Sequence, residues 1–242
     1  MLTTLHLRTR AAALTALLGL VAACAPGPRP APVAIPAGLA PWELPPGAYP
    51  SQTLLRARVR GPEGEGRFRL VLRLASPSRY QLAAADALGR AAWSLDVEGG
   101  RAILLDHRRE RTCAYRERLT LPRIRLGSLA LDAVPRLLLG RLPGVPAGPA
   151  PAADGPIAYR DARGRQWTAR VEAGRPVAWT MTEEGTPILW WRRADGEEIL
   201  SHRDGLQLRL EATVREPLAG PLTPLETPAS YQEGGCDEPG LP

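Results

Sequence analysis

The sequence predicts a mainly β fold: a strongly curved antiparallel sheet, or open (unclosed) β-barrel, carrying a short helical lid. Three observations support it. Apolar and polar residues alternate through most of the chain, the mark of strands with one buried face. The alternating segments are joined by short turns rich in Gly, Pro and Asp. Only one stretch, Leu131 to Gly140, departs convincingly from that period towards a helical one. Pattern counting gives about ten strands, six before the helix and the rest after, and a sheet of that size curls.

The N-terminus addresses the chain rather than folding it. Arg8 and Arg10 precede an apolar run, Ala11 to Ala23, too short to span a bilayer comfortably. That describes a secretory leader. The run ends in Val21-Ala22-Ala23-Cys24, which resembles a bacterial lipobox, so residues 1–23 are read as a lipoprotein signal peptide and Cys24 as a diacylated anchor. The alternative is an ordinary cleavage site with an incidental cysteine. Acyl chains contribute about 0.8 kcal/mol per buried methylene, and two chains hold a protein on a membrane. Residue 25 is Ala rather than Asp, which by Gram-negative sorting practice implies the outer membrane, lipid-anchored and facing the periplasm.

Without Arg8 and Arg10 the formal charge falls from +6 to +4, with 29 cations against 25 anions. Every cation is Arg. That bias is compositional and is no evidence of phosphate binding; the Arg residues do not cluster with stacking aromatics, so nucleic acid is not an expected partner. Once Cys24 is acylated, Cys113 and Cys236 remain. The periplasm oxidises thiols, and the two are expected to pair and tie the tail to the sheet. Closing a loop of about 120 residues would stabilise the fold by roughly 4–5 kcal/mol in the chain-entropy model.

Residues 24–50 are rich in Pro, Ala and Gly and read as an extended tether, with Trp42 and Leu44 able to dock late in it. Residues 51–216 form the β domain. In Thr53–Arg60, Leu55, Ala57 and Val59 alternate with Arg56, Arg58 and Arg60; in Gly66–Leu74, Phe68, Leu70, Leu72 and Leu74 oppose Arg67, Arg69 and Arg73. Next comes the pair spanning Arg79 to Val97. Tyr80, Leu82 and Ala84 share one face, as do Ala91, Trp93, Leu95 and Val97, about the connection Asp86-Ala87-Leu88-Gly89. Turn chemistry does not ask for an apolar tip, yet Leu88 stands there: either it folds back onto the sheet or it projects as a hydrophobic finger. Strands at Arg101–Leu105 and Arg111–Arg116 follow. Asp132 suits an N-cap, Pro135 a first turn and Gly140 a helix stop, so the helix starts near Asp132 rather than at Ser128. Leu131, Val134, Leu137 and Leu138 fall on one side, and so short a helix must lie on the sheet. Leu142 to Pro156 reads as a mobile loop. A second run of strands passes through Trp167–Val171, Val177–Met181, Ile188–Trp191 and Leu206–Val214, with hairpin-like turns at Asp161–Gly164, Ala173-Gly174 and Asp195-Gly196. Residues 217–242 form a Pro-rich tail that wraps the surface.

Catalysis finds no foothold. His107 and His202 stand near no nucleophile motif, Ser128 has no evident partner, and no Cys/His spacing suits a metal. Asp106 beside His107 reads as a solvated turn pair. No enzyme and no cofactor are expected. A carrier needs only an apolar cavity and a way in.

Three features resemble the LolA/LolB family of lipoprotein-localisation proteins, nearer to its outer-membrane receptor branch than to its soluble carrier: the lipobox at Val21–Cys24, the hairpin Arg79-Tyr80-Gln81-Leu82 leading to Asp86-Ala87-Leu88-Gly89, and the helix ending Leu137-Leu138-Leu139-Gly140 before Leu142-Pro143-Gly144. The resemblance implies an unclosed barrel whose helices cover a cavity for acyl chains, a lipoprotein received from a LolA-like carrier, a monomer, and a loop leucine, matching Leu88, that addresses the membrane. Burying one Leu yields about 1.5–3 kcal/mol, enough for a transient probe. The family's helix before the first strand has no counterpart, because Pro41 to Pro50 carries too many prolines. Cavity-lining candidates are Phe68, Leu70, Leu72, Tyr80, Leu82, Trp93, Leu95, Leu137, Leu138, Trp167 and Trp179; the alternative for them is plain core packing. A competing reading is a structural or interaction lipoprotein with a filled interior, whose Arg rows on the first two strands meet anionic partners or simply stay solvated.

Overall fold

The computed structural model describes residues 38–62, 64–121, 124–151 and 154–234, with the side chains of residues 120–128 excepted. The leader, Cys24 and Cys236 lie outside the described residues. Within them the strands are β1 (Ser51–Gly61), β2 (Gly64–Ser76), β3 (Arg79–Asp86), β4 (Ala91–Glu98), β5 (Arg101–Asp106), β6 (Arg111–Arg116), β7 (Arg118–Leu121) and β8 (Ile124–Ala130). After the helix α1 (Ala133–Leu138) come β9 (Gly155–Arg160), β10 (Gln166–Glu172), β11 (Arg175–Glu183), β12 (Thr186–Ala194), β13 (Glu197–His202), β14 (Gln207–Pro217) and β15 (Gln232–Glu233).

Thirteen strands form one curved sheet in the order β15-β6-β5-β4-β3-β2-β1-β14-β13-β12-β11-β10-β9. All neighbours are antiparallel except β15, which runs parallel to β6. The first and last strands of that order do not pair, so the sheet is not closed. β7 and β8 pair separately as a two-stranded ribbon. The expectation of about ten strands, six of them before the helix, is therefore corrected: fifteen are described, eight of them before the helix, with the β7–β8 ribbon, β9, β13 and β15 unexpected, and Ser128 lies in β8.

Bulges contribute to the curvature, because an extra residue bends a strand and raises its twist. They fall at Leu54/Leu55 against β14, at Ala84/Ala85 against β4, at Arg170/Val171 and at Met181/Thr182. The bulge at Ala84/Ala85 corrects one face assignment. Leu95 and Val97 point inward as the alternation predicts, but beyond the bulge Ala92 is buried and Ala91 is exposed.

The core lies on the inner face. Leu55, Leu72, Leu74, Tyr80, Leu82, Leu95 and Leu104 from the first half join Trp167, Trp179, Leu189, Trp191, Leu200 and Leu208 from the second in one cluster. Helix α1 adds Val134, Leu137 and Leu138 to it. Asp132 precedes the helix but donates no side-chain cap: its carboxylate instead accepts from Arg136 at 2.7 Å. Gly140, at φ +67°, ends the helix where a Cβ would be strained.

Of the two flanking segments, the first docks as expected and the second differs from expectation. Trp42 and Ala48 are buried against the sheet, so the last part of the Pro-rich stretch docks. The start of the loop after α1 is also fixed, since Arg141, Leu142, Pro143 and Gly144 are buried.

Candidate functional site

The sheet positions two features: an apolar inner face under α1, and the turn between β3 and β4. On the inner face Tyr80 donates to the Leu131 carbonyl at 2.7 Å and so ties β3 to the residue leading into the helix. Burial, reinforced by Asp132, pushes the Tyr80 phenol far above its ordinary range, which keeps it a neutral donor. Leu70, Leu72, Leu82, Leu95, Leu137 and Leu138 belong to the same buried cluster, while Phe68 and Trp93 are partly buried and pack against that cluster.

The other half of the inner face is aromatic. Trp42, Tyr159, Trp167, Trp179 and Trp191 form a ladder with successive centroid distances of 5.8, 6.4, 5.4 and 6.2 Å. Sequence reasoning named Trp167 and Trp179 as lining residues and Trp42 as able to dock, but did not join Tyr159 or Trp191 to them; in-register pairing of Trp179 with Trp191 brings the latter in. Gly144 reaches the ladder so closely that a Cβ there would stand 2.3 Å from a Trp167 ring carbon. The indole N–H of Trp167 donates to Asp161 at 3.0 Å, but those of Trp179 and Trp191 are buried with no hydrogen-bond partner among the described residues. Such donors in an apolar wall are costly. Beyond Trp191, Arg193 lies over its ring and donates to Glu198 at 3.1 Å. Burial raises the Glu198 carboxyl above its ordinary range, against the pull of Arg193 and Arg215.

Arg141 is a buried cation that the sequence reading did not single out. It donates to the carbonyls of Glu43 and Gly174, each at 2.8 Å, and to that of Ala40, clamping the docked N-terminal segment to the β10–β11 turn. Desolvation, with Arg175 nearby, lowers its pKa to about 10.

The β3–β4 turn is built by Asp86. One carboxylate oxygen accepts from the N–H of Leu88 at 2.9 Å and of Arg90 at 3.0 Å; the other accepts from the Arg90 side chain at 2.9 Å. Burial raises the Asp86 carboxyl, but hydrogen bonds from Arg90 and Leu88 outweigh it and leave the pKa below the ordinary value. Leu88 is 79% exposed, which settles its direction: it projects. The same turn occurs at Asp161-Ala162-Arg163-Gly164-Arg165, against Asp86-Ala87-Leu88-Gly89-Arg90. There Asp161 accepts from the N–H groups of Arg163 and Arg165 and from the Arg165 side chain at 2.9, 3.1 and 2.8 Å. The third position is Leu in one copy and Arg in the other, so the turn itself does not select leucine. This five-residue repeat is legible in the sequence and was the signal available.

Asp106 and His107 are not a solvated pair. Asp106 is buried and accepts from the N–H groups of Arg108 and Arg109, while His107 bonds Ser94 at 2.9 Å and Tyr231 at 2.8 Å. Both serve turn and tail structure. No helix among the described residues is long and apolar enough to cross a membrane.

The class so defined is an unclosed, curved antiparallel sheet whose apolar inner face is covered by a short helix and whose rim carries a projecting leucine. No family model matches the sequence, and no curated protein matches it. Among solved structures the chain is similar to a LolA superfamily protein of Nitrosomonas europaea, at 12% identity and a TM-score of 0.48, over 71% of this chain and 87% of that one. It is also similar to a putative outer membrane lipoprotein-sorting protein domain of Vibrio parahaemolyticus, at 8% identity and a TM-score of 0.40, over 71% of this chain and 86% of that one. A third similar structure is a DUF1329 family protein of Desulfovibrio piger, at 9% identity and a TM-score of 0.42, over 71% and 87% of the two chains.

Proposed function

We propose that this protein is an outer-membrane lipoprotein, anchored through Cys24, that takes acyl chains against its inner face and uses Leu88 to address the bilayer during lipoprotein or lipid delivery. The observation that carries the reading is Leu88 itself. Its turn is held by Asp86, its side chain is 79% exposed, and the twin turn accommodates Arg163 in its place. A leucine without a packing role, at the tip of a fixed hairpin, suits brief insertion worth about 1.5–3 kcal/mol. The unpartnered indoles of Trp179 and Trp191 supply donors for the polar end of a ligand entering along the ladder. A LolA-like periplasmic carrier is the proposed donor, and the protein acts as a monomer without chemistry of its own.

The test is Leu88→Glu. Its melting curve should match that of the wild type, because no neighbour loses packing, while transfer of a lipoprotein from carrier to vesicles should fall sharply. Undiminished transfer would sink the proposal.

A specific observation favours a second reading, a structural lipoprotein with a filled interior: the five-ring ladder packs much of the inner face with its own side chains. Native mass spectrometry of the purified protein separates the two. Co-purified lipid, or displacement of a fluorescent fatty acid, supports the carrier; the bare mass with no displacement supports the filled interior.

A further inference from the structure

The outer face of the sheet carries a cluster of arginines that the fold does not require. Arg56 and Arg58 on β1 stand directly opposite Arg69 and Arg67 on β2, and on β14 Arg58 stands opposite Arg209 and Arg56 opposite Glu211. All five are exposed. Two residues apart on one strand and opposite one another on the next, Arg56, Arg58, Arg67 and Arg69 make a square of cations on a single face. None of the four has an ion pair among the described residues, whereas nearby Arg60 is neutralised by Glu65 at 3.0 Å. Arg209 is held by Gln207 and, more loosely, by Glu197 at 3.6 Å. Like charges directly opposite one another destabilise a ladder.

Two ordinary explanations fail. Cations on edge strands prevent sheet-to-sheet aggregation, but β1 lies between β2 and β14, and β2 between β1 and β3, so both are central. An Arg-rich composition accounts for Arg in place of Lys; it does not account for Arg58, Arg67 and Arg69 having no carboxylate opposite them, because other exposed Arg residues on this sheet do meet one.

The position of the square identifies what it meets. Asp86, which holds the Leu88 turn, is opposite Phe68, the residue between Arg67 and Arg69. The projecting leucine and the cations therefore occupy neighbouring strands at the same end of the sheet. A concavity of about 330 Å³ opens at that end between Arg58, Arg60, Arg67 and Arg209, with Glu65, the partner of Arg60, as the one carboxylate in its lining. Apolar tip and clustered guanidiniums together complement a bilayer interface bearing phosphate headgroups, with the tip reaching past the headgroups and each guanidinium able to take a phosphate through two parallel N–H bonds. An acidic protein would make no use of the leucine.

We propose that the arginine square is a docking surface for an anionic phospholipid membrane, orienting the tethered domain so that the Leu88 rim faces the bilayer. The inference uses the Leu88 reading to choose the occupant, and the test separates the two. The Cys24→Ser form of the chain, which carries no acyl anchor, is sedimented with phosphatidylcholine vesicles with and without phosphatidylglycerol. The expected result is binding that needs phosphatidylglycerol, weakens as salt rises, and drops about tenfold in Arg58→Gln/Arg67→Gln. That variant should melt no lower than the wild type, since it relieves repulsion, and Arg58→Lys/Arg67→Lys should restore most of the binding. Binding that ignores phosphatidylglycerol or the Arg substitutions overturns the proposal. So does capture of a polyglutamate peptide, or stabilisation by inorganic phosphate, without vesicle binding. If Leu88→Ser leaves anionic-vesicle binding untouched while the Arg variant abolishes it, the surface stands and the insertion reading of Leu88 fails.

Discussion

Asp86 does at one residue what a turn otherwise needs several to do. Its carboxylate satisfies two backbone N–H groups and an Arg side chain at once, so the apex is held before Leu88 meets anything. Because hydrogen bonds depress its folded-state pKa, its contribution is complete above the ordinary carboxylate value near 4 and is lost as pH falls through the lower folded-state value. Melting temperature measured against pH should therefore decline on acidification below about pH 4, and Asp86→Asn should show a shallower decline over the same window. The Asp and Gly of this turn were legible, since both types bend a chain for known local reasons. The direction of Leu88 was not, because projecting and folding back give the same local sequence. Asp106 was placed in a turn but read as solvated, because a carboxylate in a turn ordinarily faces water; only tertiary structure shows it buried and accepting from the N–H groups of Arg108 and Arg109.

At the scale of elements, the strands announced themselves through alternation and the helix through Asp132, Pro135 and Gly140. What could not be read was where an alternation slips. The bulge at Ala84/Ala85 exchanges Ala91 for Ala92 on the inner face, and nothing in either alanine foretells it. The β7–β8 ribbon was missed because its strands are short and a proline in the sequence interrupts the apolar alternation. Two substitutions test how α1 and its loop are held. Tyr80→Phe removes the shorter of two hydrogen bonds to the Leu131 carbonyl, which keeps the one from the N–H of Val134 at 3.3 Å, so urea unfolding should show a loss of about 0.5–1.5 kcal/mol. Gly144→Ala forces a methyl into the face of Trp167; overpacking of that kind costs about 1–3 kcal/mol, and displacement of the ring should change tryptophan fluorescence even where the loss is small. A similar cost with unaltered fluorescence would mean that the loop, rather than the ladder, gives way.

Across the whole molecule, the tail is what closes the fold on itself. Composition marked residues 217–242 as a wrapping segment, but only tertiary structure shows its path. Arg79 donates to the Leu222 carbonyl and Gln81 to that of Thr223, while the N–H of Leu225 donates to Asp96, so the tail crosses the outer face of β3 and β4. It then pairs in parallel with β6, where the N–H of Gly234 donates to the Thr112 carbonyl at 2.9 Å. That contact brings the chain beside Cys113 two residues before Cys236, and pairing of these cysteines is the staple we expect. Joining β6 to the end of the chain would restrict the unfolded state over a loop of about 120 residues, worth roughly 4–5 kcal/mol in the chain-entropy model. Reduction should therefore lower the melting temperature markedly, Cys236→Ser should reproduce that loss without reductant, and adding reductant to the variant should change nothing further. Two free thiols in the unreduced protein, seen by mass spectrometry after alkylation, would leave the tail held by hydrogen bonds alone.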